Sequence, residues 1–228
     1  MKQRIQLSNS LRYRLFLSYA ALVILSCAVV CIVLLNVAVS EITSTEKIQT
    51  ENRLALIEKD VKNQTDLMIG ASVRIQTDAL YRPLNKTKGI WYEIDIVQDI
   101  SKSSNTTLVA DNCFLMFNGE HVVYKPYAKN GFDVYMHYLC VDDVEEIYNE
   151  IISTNEFNIV KNETSEIVLF VCPVHFGELK SASPDAFLCF ISSMNLITTR
   201  INTVAGMFDE PWRLTYNGIC LTQHGDVN

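Results

Sequence analysis

Four histidines, His121, His137, His175 and His224, are the side chains that would first carry proton transfer or hold a metal. Zinc hydrolysis needs two imidazoles one helical turn apart with a glutamate beside them, and none of the four has that setting. His121 stands just after an Asn-Gly dipeptide and reads as an exposed strand residue. Asp142, Asp143, Glu145 and Glu146 crowd together, but acids in a first helical turn complement the positive end of its dipole, and that explains them more simply than a shared site. No GxSxG elbow, phosphate loop or dinucleotide fingerprint occurs. The cysteines contain no CxxC pair, which argues against zinc. Cys27 and Cys31 fall in a long apolar run. Cys113, Cys172 and Cys189 fall in strand-like ones, where buried free thiols are expected. Disulfides stay open for an exported domain, with no pairing indicated for Cys140 or Cys220. The chemistry expected is therefore neither catalytic nor metal- or cofactor-dependent.

Recognition makes a different demand: aromatic walls with a few directed polar groups. Tyr81 with Arg82, Trp91 with Tyr92, Tyr124 with Tyr127, and Asp133 with Tyr135 supply that combination. They cluster where predicted helices meet a predicted hairpin. Trp212 and Arg213 are weaker candidates, being near the end of the domain. The expected ligand is a small molecule of unknown identity. The net charge of −7 and the absence of a basic stripe beyond the first fourteen residues exclude nucleic acid as a partner.

The elements that must position these residues begin with a membrane anchor. From Leu15 to Val39 no residue is charged, and about 20 apolar residues suffice for a helix to cross the hydrocarbon core. Lys2, Arg4, Arg12 and Arg14 precede this run. All 26 acids lie at or after Glu41. The positive-inside rule then puts residues 1–14 in the cytoplasm, 15–39 in lipid and 41–228 outside. Ala38-Val39-Ser40 resembles a cleavage site, but the apolar core is far longer than that of a signal peptide. Residues 40–83 are expected to form a long stalk helix capped by Ser40 or Thr43 and ended by Arg82-Pro83. Its seam, Leu54, Ile57, Val61, Gln64, Met68, Ala71 and Ile75, has the spacing of one amphipathic face. That face can pack on a core or pair two copies of the chain.

Residues 84–228 read as the domain proper. A short helix is expected over 89–103. Cys113–Phe117 and His121–Tyr124 flank Asn118-Gly119, a hairpin signal, and Lys125-Pro126 closes the second strand. Asp133 and Tyr135 are then placed in a loop. A helix follows over 142–153, then strands at 157–160, 166–174 and 186–192, with a long loop over 177–185. Ser193 can cap a helix to about Val204. Trp212–Tyr216 and Ile219–Thr222 flank Asn217-Gly218, a second hairpin signal. Consecutive strands joined by turns imply an α+β domain whose antiparallel sheet has helices gathered on one side.

This order resembles the extracytoplasmic Cache, or PAS-like, sensor region of bacterial membrane receptors, above all membrane-bound AraC-type regulators and related histidine kinases. The resemblance rests on Arg12–Val39, the helix end Ala79-Leu80-Tyr81-Arg82-Pro83-Leu84, the hairpin from Phe114 to Tyr124, the strand Ala186–Ser192 and the closing pair Trp212–Thr222. It implies a small extracellular ligand on the sheet and a signal passed through membrane helices to a transcription-regulating or kinase module. Such receptors have a second span and an output module, and the sequence ends at Asn228 before either. The amino-acid-binding subset carries Arg-x-Trp-Tyr, whereas Trp91-Tyr92 follow Gly89-Ile90 here. The alternative is a membrane-anchored interaction or dimerisation protein with no small ligand. Asn-x-Thr triplets at Asn63, Asn85, Asn105 and Asn162 also fit a glycosylated lumenal domain.

Overall fold

The computed structural model describes residues 2–82, 89–162, 164–176, 183–206 and 211–225, with the backbone alone for residues 2–12 and Ile219. Contacts divide the chain into two compact units, Met1–Asn52 and Arg53–Asn228.

The first unit is helical throughout its described residues. It is the first part of α1, a single helix over Lys2–Thr77. This helix is long and apolar enough to cross a membrane. Its large apolar side chains from Leu15 to Val39 are exposed. Ser18 donates to the Leu15 carbonyl at 3.0 Å and Ser26 to the Val23 carbonyl at 2.8 Å. Both hydroxyls are thus satisfied within the helix, as an apolar solvent requires. No new helix starts at Ser40 or Thr43. Thr43 instead donates back to the Val39 carbonyl at 2.8 Å, because the apolar segment continues unbroken into the stalk and leaves no free N–H groups to cap.

The second unit is an antiparallel sheet covered by helices. After α1 come a 3-10 turn, Ala79–Tyr81, and α2, Ile90–Ser103. Pro83, the expected helix stop, lies outside the described residues; α1 has already ended at Thr77. The strands are β1 (Asn112–Phe117), β2 (Val122–Lys125) and β3 (Ala128–Gly131), then β4 (Asn158–Asn162), β5 (Ile167–Val174) and β6 (Ala186–Ser193). Between the two groups lie α3 (Phe132–Tyr138) and α4 (Val144–Ile152). After β6 come α5 (Met194–Ala205) and the ribbon β7 (Trp212–Tyr216) and β8 (Ile219–His224). The sheet order is β3-β2-β1-β6-β5-β4, antiparallel throughout.

Both faces of this sheet are buried. Cys113, Leu115, Phe117, Phe170, Leu188 and Phe190 pack against α1, α2, α5 and the ribbon. Phe114, Met116, Leu169, Val171, Phe187 and Cys189 pack against α3 and α4. The expectation of helices on one side is therefore wrong. β1, β5 and β6 are continuous apolar runs, and such strands need cover on both faces. The seam on α1 serves the core in its second half, where Gln64, Met68, Ala71 and Ile75 are buried while Leu54 and Val61 are exposed.

Two local corrections follow. Asp133 and Tyr135 lie on α3, not in a loop. Phe132, Tyr135 and Met136 are buried at one-turn spacing, too short a stretch for its period to stand out. At the first hairpin only Gly119 takes a positive φ, 78°. Asn118 instead donates its backbone N–H to the Asp185 carbonyl at 2.9 Å and its side-chain amide to the Pro184 carbonyl at 2.8 Å. The ribbon turn has both residues left-handed, Asn217 at 48° and Gly218 at 82°. This is the backbone a two-residue hairpin prefers.

Candidate ligand-binding site

The end of α1 is fixed to α2 through one buried carboxylate. Asp99 accepts from Arg74 Nη1 at 2.8 Å, Tyr81 Oη at 2.6 Å and Lys102 Nζ at 2.7 Å. Arg74 Nη2 also donates to Ser103 Oγ at 2.6 Å. Burial alone would raise the Asp99 pKa. The Lys102 and Tyr81 hydrogen bonds and the Arg74 charge outweigh it and hold the carboxyl below its usual range. Burial first, and then the hydrogen bond to Asp99, push the Tyr81 phenol far above its ordinary value. Tyr81 is thus a neutral donor within the lock, with no surface open to a ligand.

Beside the lock, α2 lies over β2 and β3. Tyr92 on α2 and Tyr124 on β2 are buried in the same core. Phe117 meets the Tyr124 ring edge-on, with centroids 5.7 Å apart, and Phe176 lies 6.2 Å beyond Phe117. The Tyr92 hydroxyl is buried without a hydrogen-bond partner among the described residues. Its pKa is pushed up to about 12 by burial and by the Glu120 charge. Burial, then Glu120 and Glu93, raise Tyr124 as well. Lys129 Nζ sits 5.6 Å from the Tyr124 centroid and pairs with Glu93 Oε1 at 2.5 Å.

This pair faces a shallow groove of about 390 Å³ between α2 and β3, lined by Ile90, Glu93, Ile94, Val97, Tyr127 and Lys129 among others. Tyr127 occupies the turn from β2 to β3 with a φ of 66° and is 87% exposed. A left-handed backbone costs a residue with a Cβ about 1–2 kcal/mol. Glycine would fit this turn without strain, so the ring is retained at a cost. Such outliers concentrate at functional positions.

The other predicted residues scatter. Trp91 is 72% exposed on α2, outside the groove lining. Arg82 is exposed just after the lock, and Asp133 is exposed on α3. Tyr135 is buried on the opposite sheet face, edge-on to Phe114 at 5.7 Å, with Lys125 Nζ 4.8 Å from its ring centroid. Its hydroxyl also lacks a hydrogen-bond partner among the described residues. The eight therefore do not form one pocket: Tyr127 lines the α2 groove, Tyr92 and Tyr124 are buried in the core, Tyr81 belongs to the lock, and Tyr135 faces away. Sequence reasoning missed Glu93, Glu120 and Lys129. Lys129 is opposite Tyr124 in the β2–β3 register, a relation invisible without β3.

Among the described residues no three His, Cys, Asp or Glu side chains are grouped to hold a metal ion. His121 stacks on Tyr148 with centroids 4.1 Å apart. Cys113, Cys172 and Cys189 are buried free thiols, and burial raises the first two to about 12.

No protein-family model and no curated protein matches the chain. Among solved structures it is similar to the sensory domain of the Campylobacter jejuni chemoreceptor Tlp3 (CcmL), a structure with isoleucine bound. The identity is 14% and the TM-score 0.30, over 75% of this chain and 73% of that one.

Proposed function

We propose that the chain is the sensory part of a single-pass membrane receptor. In this reading residues 15–39 lie in lipid with the N-terminus cytoplasmic, and residues 41–228 bind a small molecule outside the cytoplasm. The groove between α2 and β3, with Tyr127, Glu93 and Lys129 in its lining, is the binding site. The output is control of transcription, as in the receptors whose sensor region the sequence resembles.

One observation carries the reading. The helix that holds the apolar segment also holds, in its last turn, the arginine that grips α2. A ligand that shifts α2 must act on Asp99, and through it on Arg74 and α1. It can do so only if it binds two positions of α2 with different affinity.

The chain contains two tryptophans, so Trp212→Phe leaves Trp91 on α2 as the sole reporter. This variant, full length in lipid nanodiscs, is titrated with amino acids, short carboxylates and amines. A saturable change in Trp91 emission, lost in Tyr127→Ala and Lys129→Ala, is the expected result. No response to any of these classes in a folded sample refutes the groove as the site.

Self-association through α1 is a second reading. It is favoured by Leu56, Leu67, Ile69 and Val73, which are exposed beyond the apolar segment. Sedimentation of the full chain in detergent, compared with Ile69→Glu plus Val73→Glu, distinguishes a dimer from a monomer.

A further inference from the structure

The second unit holds a second concavity, remote in character from the α2 groove. It is a partly enclosed cavity of about 250 Å³, walled by α1, the edge strand β4 and its neighbour β5, α5 and the ribbon. Val61, Met68, Phe170, Ile197, Leu214 and Leu221 give it apolar walls, and no charged side chain is among its lining. Gln64, the buried polar residue there, already spends its carbonyl oxygen on the Leu108 N–H at 2.8 Å.

What makes this a built space is how its walls are tied to one another. Asp60 on α1 binds Arg200 on α5 through two hydrogen bonds, 2.6 and 2.9 Å. Thr198 on α5 meets Thr222 on β8 at 2.7 Å, and Lys161 on β4 donates to the Cys220 carbonyl at 2.7 Å. Trp212 on β7 donates to Asn202 on α5 at 2.7 Å. Each wall is pinned to another by a polar contact outside the apolar surface. Apolar side chains normally close such a space to crystal-like density. Here the pins fix where α1, α5 and the ribbon stand around the cavity, and the space between them is left unfilled.

We propose that this cavity is a binding site for a small uncharged apolar molecule of about ten non-hydrogen atoms, such as a fused aromatic ring. The size follows from volume, since a dry cavity of about 150 Å³ takes benzene. The class follows from the lining: a charged group would enter without a partner. The site stands apart from the α2 groove and does not depend on it. Because α1 forms one wall, an occupant touches the same helix that the Arg74–Asp99 lock holds.

The test uses the full chain in nanodiscs with 1-fluoronaphthalene as probe, followed by ¹⁹F NMR. Probe dissolved in lipid gives a signal that grows without limit, whereas a protein site gives a separate resonance that saturates at one equivalent. Expected is such a resonance in the wild type, reduced at least tenfold in Thr65→Phe, which fills the cavity from α1, and unchanged in Tyr127→Ala. Circular dichroism confirms that each variant is folded. Absence of a saturable resonance in the wild type overturns the proposal whatever the variants do. So does a resonance that survives in folded Thr65→Phe. A resonance lost in Tyr127→Ala but kept in Thr65→Phe would place the probe in the α2 groove instead.

Discussion

Asp99 contributes to the second unit's stability in acid. Its carboxyl titrates lower in the fold than the roughly 3.9 of an unfolded chain. A depressed carboxylate contributes stability that is present above its unfolded pKa and is lost as pH falls through the folded one. The lock should therefore weaken below about pH 4, and Asp99→Asn should flatten that acid limb. Asp99→Ala should cost about 2–3 kcal/mol, below the usual figure for breaking a buried pair, because Arg74 is 39% exposed and regains water. Thermal unfolding followed by the emission of buried Trp212, from pH 3 to 7, measures both effects. Tyr92 runs the other way. Its buried hydroxyl has no partner among the described residues, so Tyr92→Phe should be neutral or stabilising by about 1 kcal/mol in the same assay. A loss of more than that would mean that the hydroxyl is satisfied in solution. At this scale the sequence reading named Tyr81 among the ligand-pocket candidates, and it could not tell a pocket phenol from a lock member. That distinction depends on which carboxylate each phenol meets. Asp99 lies 18 residues from Tyr81, and no local pattern joins them.

Elements were easier to read than sites, and the reason is length. α5 shows it well. Ser193 takes an extended backbone and accepts the Leu196 N–H at 3.2 Å, and Gly206 ends the helix at a φ of 64°. Both signals are local, and both boundaries were legible. Ser193→Ala should cost about 1 kcal/mol, read as a lower melting temperature of about 2–4 °C for a unit of this size. An unchanged melting temperature would show that the tertiary contacts of α5, not its cap, fix the start. β5 and β6 were equally clear, since each is apolar over five residues or more. β3 was missed because Ala128-Lys129-Asn130-Gly131 has neither alternation nor β-branched residues. It is a strand because its backbone pairs with β2, from Val122 opposite Gly131 to Lys125 opposite Ala128. Backbone pairing of an edge strand leaves little trace in side-chain chemistry. The α2 groove was hidden for the same reason, as one of its walls is β3.

For the molecule as a whole, the decisive question is which side of the membrane the second unit occupies, and the cysteines can answer it. Cys27 and Cys31 lie in the apolar segment of α1. Cys113, Cys172 and Cys189 are buried in the sheet, where raised thiol pKa values keep them unreactive. Cys140 is exposed between α3 and α4, and Cys220 is half-exposed on the ribbon. A membrane-impermeant maleimide added to intact cells therefore meets one fully exposed thiol if the second unit faces outward. The expected outcome is labelling of the wild type at once, with most of it lost in Cys140→Ser and no further change in Cys27→Ser or Cys31→Ser. The charge asymmetry behind this expectation is strong. Four basic residues and no acid precede the apolar segment, and every acid follows it. Labelling that appears only after the cells are opened would put the acidic unit in the cytoplasm. The α2 groove would then face metabolites inside the cell, and the proposal of an external ligand would fall even if the groove bound one in nanodiscs.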